Sequence, residues 1–315
     1  MATISEEAHT YLATALSLVR EHAYYSSRIN WDAERDAALS AAHAAQTPAA
    51  TYPAINQVLN RLGDRHSMLV PPDLARQLSA ERRTGVLLPR GERLDGGVGY
   101  ILLPETAASD EAATRYASSA HDLIRVNDKP PASGWIVDLR ENTGGNMWPM
   151  LAAIGPILGE GQAGEFVYAN GARTPWGYDR GTAHLDGIAL ASVAHPPYVC
   201  GPTARGGPRS GLVAVLTGRL TVSSGEAIAI AFRGRPHTRS FGAPTFGLPT
   251  GNEAYPLSDG ALLVITEVVE ADRTGRIYDG PIIPDQIVNE DADTGDPVRE
   301  AAVAWLRAQP RGAPG

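Results

Sequence analysis

The sequence predicts an α/β fold with a small helical region at its N-terminus. Two observations carry this prediction. From Gly97 onward, short apolar runs alternate with amphipathic segments, the pattern of buried strands joined by helical crossovers. Before that point apolar residues recur at spacings of three and four, with alanine and charge between them.

From Ser5 to about Ala49 the helical period is set by Leu12, Ala15, Leu16 and Val19, and the stretch from Ala33 to Ala45 is rich in alanine. A further helix runs from Tyr52 to Leu62 through Ile55, Val58 and Leu59, and Gly63 stops it. Residues 1–75 therefore read as a helical region, and the polar, weakly patterned residues 76–96 as a linker or flap. Residues 97–308 read as one α/β domain. Its strands are expected at Val98–Leu103, Trp135–Leu139, Leu212–Thr217 and Ala261–Thr266, in a largely parallel sheet. Its helices are expected at Ala112–Val126, Met150–Leu158, Glu226–Phe232 and Asp296–Ala308. Residues 160–210 are polar and Gly- and Pro-rich and read as a loop.

Composition removes several function classes. Hydrophobic residues make up 43% and charged residues 20%, as in ordinary globular proteins, so a fibrous or disordered chain is excluded. A net charge of -8 offers no basic face to nucleic acid. No run approaches the roughly 20 apolar residues that span a bilayer, and Met1–Ala8 lacks the basic and apolar pattern of a secretory signal. A cytoplasmic protein with no membrane partner is the expectation. The single cysteine, Cys200, excludes an internal disulfide, and its Pro- and Gly-rich surroundings, including Gly206-Gly207-Pro208, favour an unreactive thiol. The eight histidines show no His-Glu-x-x-His pattern, so neither a metal nor another cofactor is expected.

Three segments carry chemistry. Thr221-Val222-Ser223-Ser224-Gly225-Glu226 follows a strand and opens a helix, which exposes a serine hydroxyl beside unpaired backbone N–H groups. The same letters also spell a capping box, which requires no catalysis. Asp138-Leu139-Arg140-Glu141-Asn142-Thr143-Gly144-Gly145 ends a buried strand, where paired glycines let the backbone approach a ligand. Leu62-Gly63-Asp64-Arg65-His66-Ser67 follows a helix end, and histidine is the side chain suited to general-base work near neutral pH.

In order and spacing these segments resemble the C-terminal processing/tricorn serine peptidases. Asp138-Leu139-Arg140-x-Asn142-x-Gly144-Gly145 is similar to that family's Asp-Leu-Arg-x-Asn-x-Gly-Gly signature, and Thr221–Glu226 to its nucleophile stretch. Gly242-Ala243-Pro244-Thr245-Phe246-Gly247 matches the family's Gly-x-Pro-Thr-x-Gly loop, and Pro284-Asp285 its closing motif. The processing peptidases place a lysine base after that last loop glycine. Here Leu248 stands there, and the chain's single lysine is Lys129, in a polar turn. The tricorn-like branch uses a histidine from a Gly-Asp-x-His-Ser segment, which Gly63–Ser67 matches. The roughly 30 residues from Ser67 to Gly97 are too few for a PDZ domain of ordinary size.

The resemblance implies a crotonase-like ββα core and acyl transfer, with Ser223 as nucleophile and His66 as base, brought within a few ångströms of each other. It implies an oxyanion hole of Ser224 N–H with Gly144 or Gly145 N–H, with Glu226 in support. Asp279, in Tyr278-Asp279-Gly280, is the expected acid, with Ser67 relaying its hydrogen bond, and Glu267, Glu270 and Asp272 are its rivals. The histidine is expected to titrate near its ordinary value of about 6.5. A peptide substrate leads. An ester, lactam or other small acyl substrate, acyl transfer to an amine, and a binding member holding a lipophilic ligand stay open, as does a homo-oligomer.

Overall fold

The computed structural model describes residues 3–84, 86–198, 200, 211–289 and 295–309. Helices α1 (Glu6–His22), α2 (Trp31–Ala41) and α3 (Tyr52–Leu62) come first, then strand β1 (Met68–Val70) and helix α4 (Pro72–Thr84). Strands β2 (Arg90–Leu94) and β3 (Val98–Leu102), helix α5 (Asp110–Asn127), strand β4 (Trp135–Asp138) and helix α6 (Met147–Leu158) follow. Next are β5 (Gly161–Tyr168), β6 (Arg173–Asp179), β7 (Thr182–Leu185), β8 (Ile188–Ser192), β9 (Val213–Thr217), α7 (Ser224–Ala231) and β10 (Thr238–Gly242). The last elements are β11 (Thr250–Pro256), β12 (Leu262–Asp272), β13 (Ile277–Tyr278), β14 (Gln286–Ile287) and α8 (Pro297–Ala308). Residues 201–210, with Gly206-Gly207-Pro208, lie outside the described residues.

The chain forms two compact units. The first holds residues up to Thr84 with Val167–Arg173 and Thr250–Val269, and the second holds Gly85–Phe166, Thr174–Pro249 and Glu270 onward. In the first unit, α1 begins where Ser5 Oγ accepts from Ala8 N at 3.2 Å, and α3 ends at Gly63 in the left-handed conformation, φ 75°. Their apolar stripes, with Leu12, Ile55, Val58 and Leu62, pack with Leu257, Leu263 and Ile265 from the β11–β12 hairpin. Tyr11 OH donates to Asp259 Oδ1 in the turn of that hairpin at 2.9 Å, and Tyr52 OH donates to Oδ2. The segment 261–266 is therefore not part of a parallel sheet. The short turn Leu257-Ser258-Asp259-Gly260 can join only antiparallel neighbours, and β12 pairs antiparallel with both β11 and β1.

In the second unit six described strands form a sheet in the order β14-β10-β9-β4-β3-β2, parallel except for the β2–β3 pair. Period-two alternation divides its two faces. Trp135 and Val137 of β4 and Val213 and Val215 of β9 join a core with α5, α6 and α7. Ile136, Ala214 and Leu216 join Phe241 and the α8 residues Val298, Ala302 and Leu306. Helices thus cover both faces, as a parallel sheet requires. Adjacent strands β4 and β9 end side by side, so the loops 139–146 and 218–223 meet at the carboxyl edge.

Two segments are more regular than their sequence suggests. The linker read at 76–96 contains most of α4 and all of β2, whose edge position keeps its pattern polar. The loop read at 160–210 contains β5 to β8, with β6, β7 and β8 in an antiparallel meander. Among the described residues no helix is long and apolar enough to cross a membrane.

Gly155 in α6 tests this packing. Alanine gains about 1 kcal/mol of helix propensity over glycine, but a Cβ there would sit 2.1 Å from the Tyr178 ring. Overpacking of that kind costs about 1–3 kcal/mol or more and wins. Gly155→Ala is expected to lower the melting temperature, and an unchanged or higher value by calorimetry would contradict the packing described.

Candidate active site

The loop that carries Ser223, the expected nucleophile, lies in the second unit. Ser223 adopts φ 52°, ψ −117°, a strained geometry for a side chain with a Cβ, worth about 1–3 kcal/mol. The turn persists because its surroundings hold it. Ser223 N donates to Glu226 Oε2 at 2.9 Å, which makes the backbone half of the capping box. Behind it, Gly144 comes so close that a Cβ there would lie 3.0 Å from Val222 O and 3.1 Å from Ser223 Cβ. Gly225 is likewise pressed on Asn142, with a would-be Cβ 2.7 Å from Asn142 O.

Glu226 is fully buried and does more than cap. Its Oε2 also accepts from Leu248 N at 2.7 Å, while Oε1 accepts from Gly247 N at 2.8 Å and from Thr245 Oγ1 at 2.5 Å. One carboxylate thus ties the nucleophile turn to the Gly-x-Pro-Thr-x-Gly loop. Burial pushes its carboxyl above the usual range although these donors pull the other way.

Asn142 joins the other loop to the same place. Its Nδ2 donates to Leu103 O at 3.0 Å, its Oδ1 accepts from Gly144 N at 3.0 Å, and its backbone O accepts from Val222 N at 3.0 Å. This separates the two glycines expected at the oxyanion hole. Gly144 N–H is already engaged, whereas Gly145 N and Ser224 N have no acceptor among the described residues. Ser224 Oγ donates to Gly145 O at 2.8 Å, so its hydroxyl fixes the glycine loop. Asp138 and Arg140 of the same motif are structural. Arg140 bridges Asp138, at 2.6 Å, to Asp296 at 2.7 Å, and Tyr100 OH donates to Asp138 at 2.9 Å. Asp285 of the closing motif accepts from Ser240 N at 2.7 Å and from Arg233 at 2.8 Å, which docks the chain beside β10.

His66 lies in the first unit. After Gly63 the chain turns again at Arg65, φ 59°. Asp64 Oδ1 caps the turn by accepting from His66 N at 2.9 Å and Ser67 N at 2.8 Å. Ser67 Oγ donates to Asp64 Oδ2 at 2.6 Å and accepts from Thr266 N at 3.0 Å, so it braces the loop on β12 and is not on the imidazole. The imidazole Nδ1 is 2.7 Å from Thr250 Oγ1. Strands β1 and β11 both run antiparallel to β12, Met68 opposite Val264 and Thr250 opposite Val269. Burial pushes the His66 pKa below the ordinary histidine value, against the pull of Asp64, which corrects the expectation of an unperturbed histidine.

The group on Nδ1 is therefore Thr250, not the expected Asp279, which is exposed in the second unit. The rivals are occupied elsewhere or buried. Glu267 accepts from Tyr255 OH, and Asp272 accepts from Tyr278 OH at 2.8 Å. Glu270 is 2% exposed. Sequence reasoning missed Thr250 because a threonine opening a strand carries no signal of its own. Burial pushes the Cys200 thiol up, in keeping with an unreactive side chain. No group of three or more His, Cys, Asp or Glu that could hold a metal ion occurs among the described residues.

The sequence signature of peptidase family S41 matches residues 97–288. A nisin-resistance protein of Lactococcus lactis subsp. lactis is 26% identical over 300 residues, 95% of this chain and 87% of that protein. The solved structure of a lipoprotein from Streptococcus agalactiae has a TM-score of 0.77 at 23% identity, covering 98% of this chain and 99% of that one. The photosystem II D1 C-terminal processing protease has a TM-score of 0.63 at 15% identity, covering 95% and 98%. The helical N-terminal region and the α/β architecture are thus those of this group's folds.

Asn142→Ala isolates the joint between the two loops. It strips the acceptor from Gly144 N and the donor from Leu103 O, both buried, at about 1–3 kcal/mol for each unpaired group. The expected loss of stability is read by denaturant unfolding, and a variant as stable as the parent would show that the joint carries nothing.

Proposed function

The chain belongs to peptidase family S41, a family of serine peptidases, and from that premise we propose that Ser223 is its nucleophile and His66 its general base. The observation that carries this reading is the strained Ser223 turn, held by Glu226 beside two backbone N–H groups without acceptors. His66 Nε2 takes the Ser223 hydroxyl proton, Oγ attacks the peptide carbonyl, and an acyl-enzyme forms that water then cleaves. Ser224 N and Gly145 N receive the developing oxyanion. In this reading Thr250 Oγ1 accepts from His66 Nδ1–H and holds the ring, the tautomer that leaves Nε2 free to take the proton. A neutral hydroxyl stabilises the imidazolium less than a carboxylate does, in line with the depressed pKa. The similarity to a nisin-resistance protein makes nisin the first peptide to test, by mass spectrometry of its fragments.

Ser223→Ala is expected to abolish labelling by a fluorophosphonate and to lower kcat by several orders of magnitude. Ser224→Ala should keep its labelled serine. Labelling that survives in the first variant and vanishes in the second would reverse the assignment.

The base has to be neutral to accept a proton, so kcat/KM rises with pH as His66 deprotonates. Because burial lowers that pKa, the acidic limb should lie below about pH 6.5. His66→Ala should remove both the limb and most of the rate. A rate that survives in His66→Ala and climbs only above about pH 8 would assign the base to another group.

A further inference from the structure

On β12, Glu270 is 2% exposed, and its Oε2 has no hydrogen-bond partner among the described residues. A charge on that oxygen is costly, since burial removes it from bulk water and no described donor reaches it. Its backbone N donates to Pro249 O at 3.1 Å, which sets it against the end of the loop 243–249. Glu226 holds the same loop through Thr245, Gly247 and Leu248. Two acids therefore flank one loop, with unlike hydrogen-bond partners. Each oxygen of Glu226 accepts two hydrogen bonds, the pattern of an ionised carboxylate, whereas Glu270 has an empty oxygen.

We propose that Glu270 is a positioning residue that has to keep its proton for the Ser223 turn to hold its shape. While it is neutral, Glu226 carries the one negative charge the loop accommodates. If Glu270 ionises, two carboxylates repel across a buried interior, and relief comes from the Glu226 side chain moving away, which frees the N–H groups of Gly247, Leu248 and Ser223. The strained turn then relaxes. Burial first, and the charge of Glu226 second, hold the Glu270 carboxyl well above the usual range. Glu226 on α7 is the charged group acting on it. Its strand neighbour Asp272 is taken up by Thr274 and Tyr278. The role assigned to Glu270 rests on Ser223 being the nucleophile, but its proton does not.

The test compares the full chain with Glu270→Gln across pH, by melting temperature and by fluorophosphonate labelling rate. Below about pH 4.3 both folded and unfolded chains hold the Glu270 proton. Above it the unfolded chain loses the proton first, so the parent's stability falls with rising pH relative to the glutamine variant. The melting-temperature gap should therefore widen in favour of Glu270→Gln as pH rises. At neutral pH the variant should label within about threefold of the parent, because the neutral isostere keeps the shape. It should also lack the parent's alkaline decline. A gap that does not widen overturns the proton. A widening gap with superimposable labelling profiles overturns the positioning role. If Glu270→Gln fails to fold, infrared spectroscopy of the parent at neutral pH decides. A protonated buried carboxyl band that moves in Glu226→Gln supports the proposal, and the absence of such a band overturns it. Loss of all Ser223 labelling in the parent would instead fail the nucleophile reading while leaving the melting comparison intact.

Discussion

The carboxyl group of Glu226 receives Ser223 N, Leu248 N, Gly247 N and Thr245 Oγ1, and the geometry around Ser223 follows from satisfying those donors at once. Each is a backbone or hydroxyl group that burial would otherwise leave unpaired. A strained serine, a glycine loop and the start of a helix are held together because one buried carboxyl group accepts from all of them. This explains why a motif that looks like an ordinary helix cap sits at the centre of the site. The cap is genuine, but three of the four donors to Glu226 come from a loop 19 to 22 residues away along the chain.

The replacement of lysine by Leu248 has its counterpart here. Leu248 contributes its N–H to Glu226, while its side chain is buried and 8% exposed. The backbone role of that position is independent of the side chain it carries. A fold with leucine there keeps its loop, and under the proposed mechanism the proton goes to a group elsewhere. His66, turned on Thr250 and held by the Asp64 cap, has the local order such a group needs.

Much of the fold was legible because buried strands and amphipathic helices have different periods, and β3, β4, β9 and α5 to α8 lie close to their expected positions. The antiparallel parts were not. An apolar run such as Leu262–Ile265 reads the same in a parallel or an antiparallel sheet, and only its turn tells them apart. Helix α4 and strand β2 were hidden because exposed elements have no apolar period to show. Of the candidate site residues, Ser223, Gly144, Gly145 and His66 stood in recognisable strings, since tight backbone approaches restrict which residues fit. Thr250 did not. A hydroxyl that meets an imidazole 184 positions away is a property of the folded sheet, and no local pattern encodes it.

The first unit is assembled from three stretches of chain, the last of them Thr250–Val269. Leu257, Leu263 and Ile265 complete the core of helices α1 and α3, yet they leave the ribosome long after those helices. At roughly 5–20 residues per second, the stretch between them takes on the order of ten seconds or more to synthesise. Throughout that interval the apolar faces of Leu12, Ile55, Val58 and Leu62 lack the partner strands that will cover them. Until then those faces are open to any other apolar surface, and a pause before Leu257, Leu263 and Ile265 leave the ribosome would prolong that exposure, whereas a later pause would not.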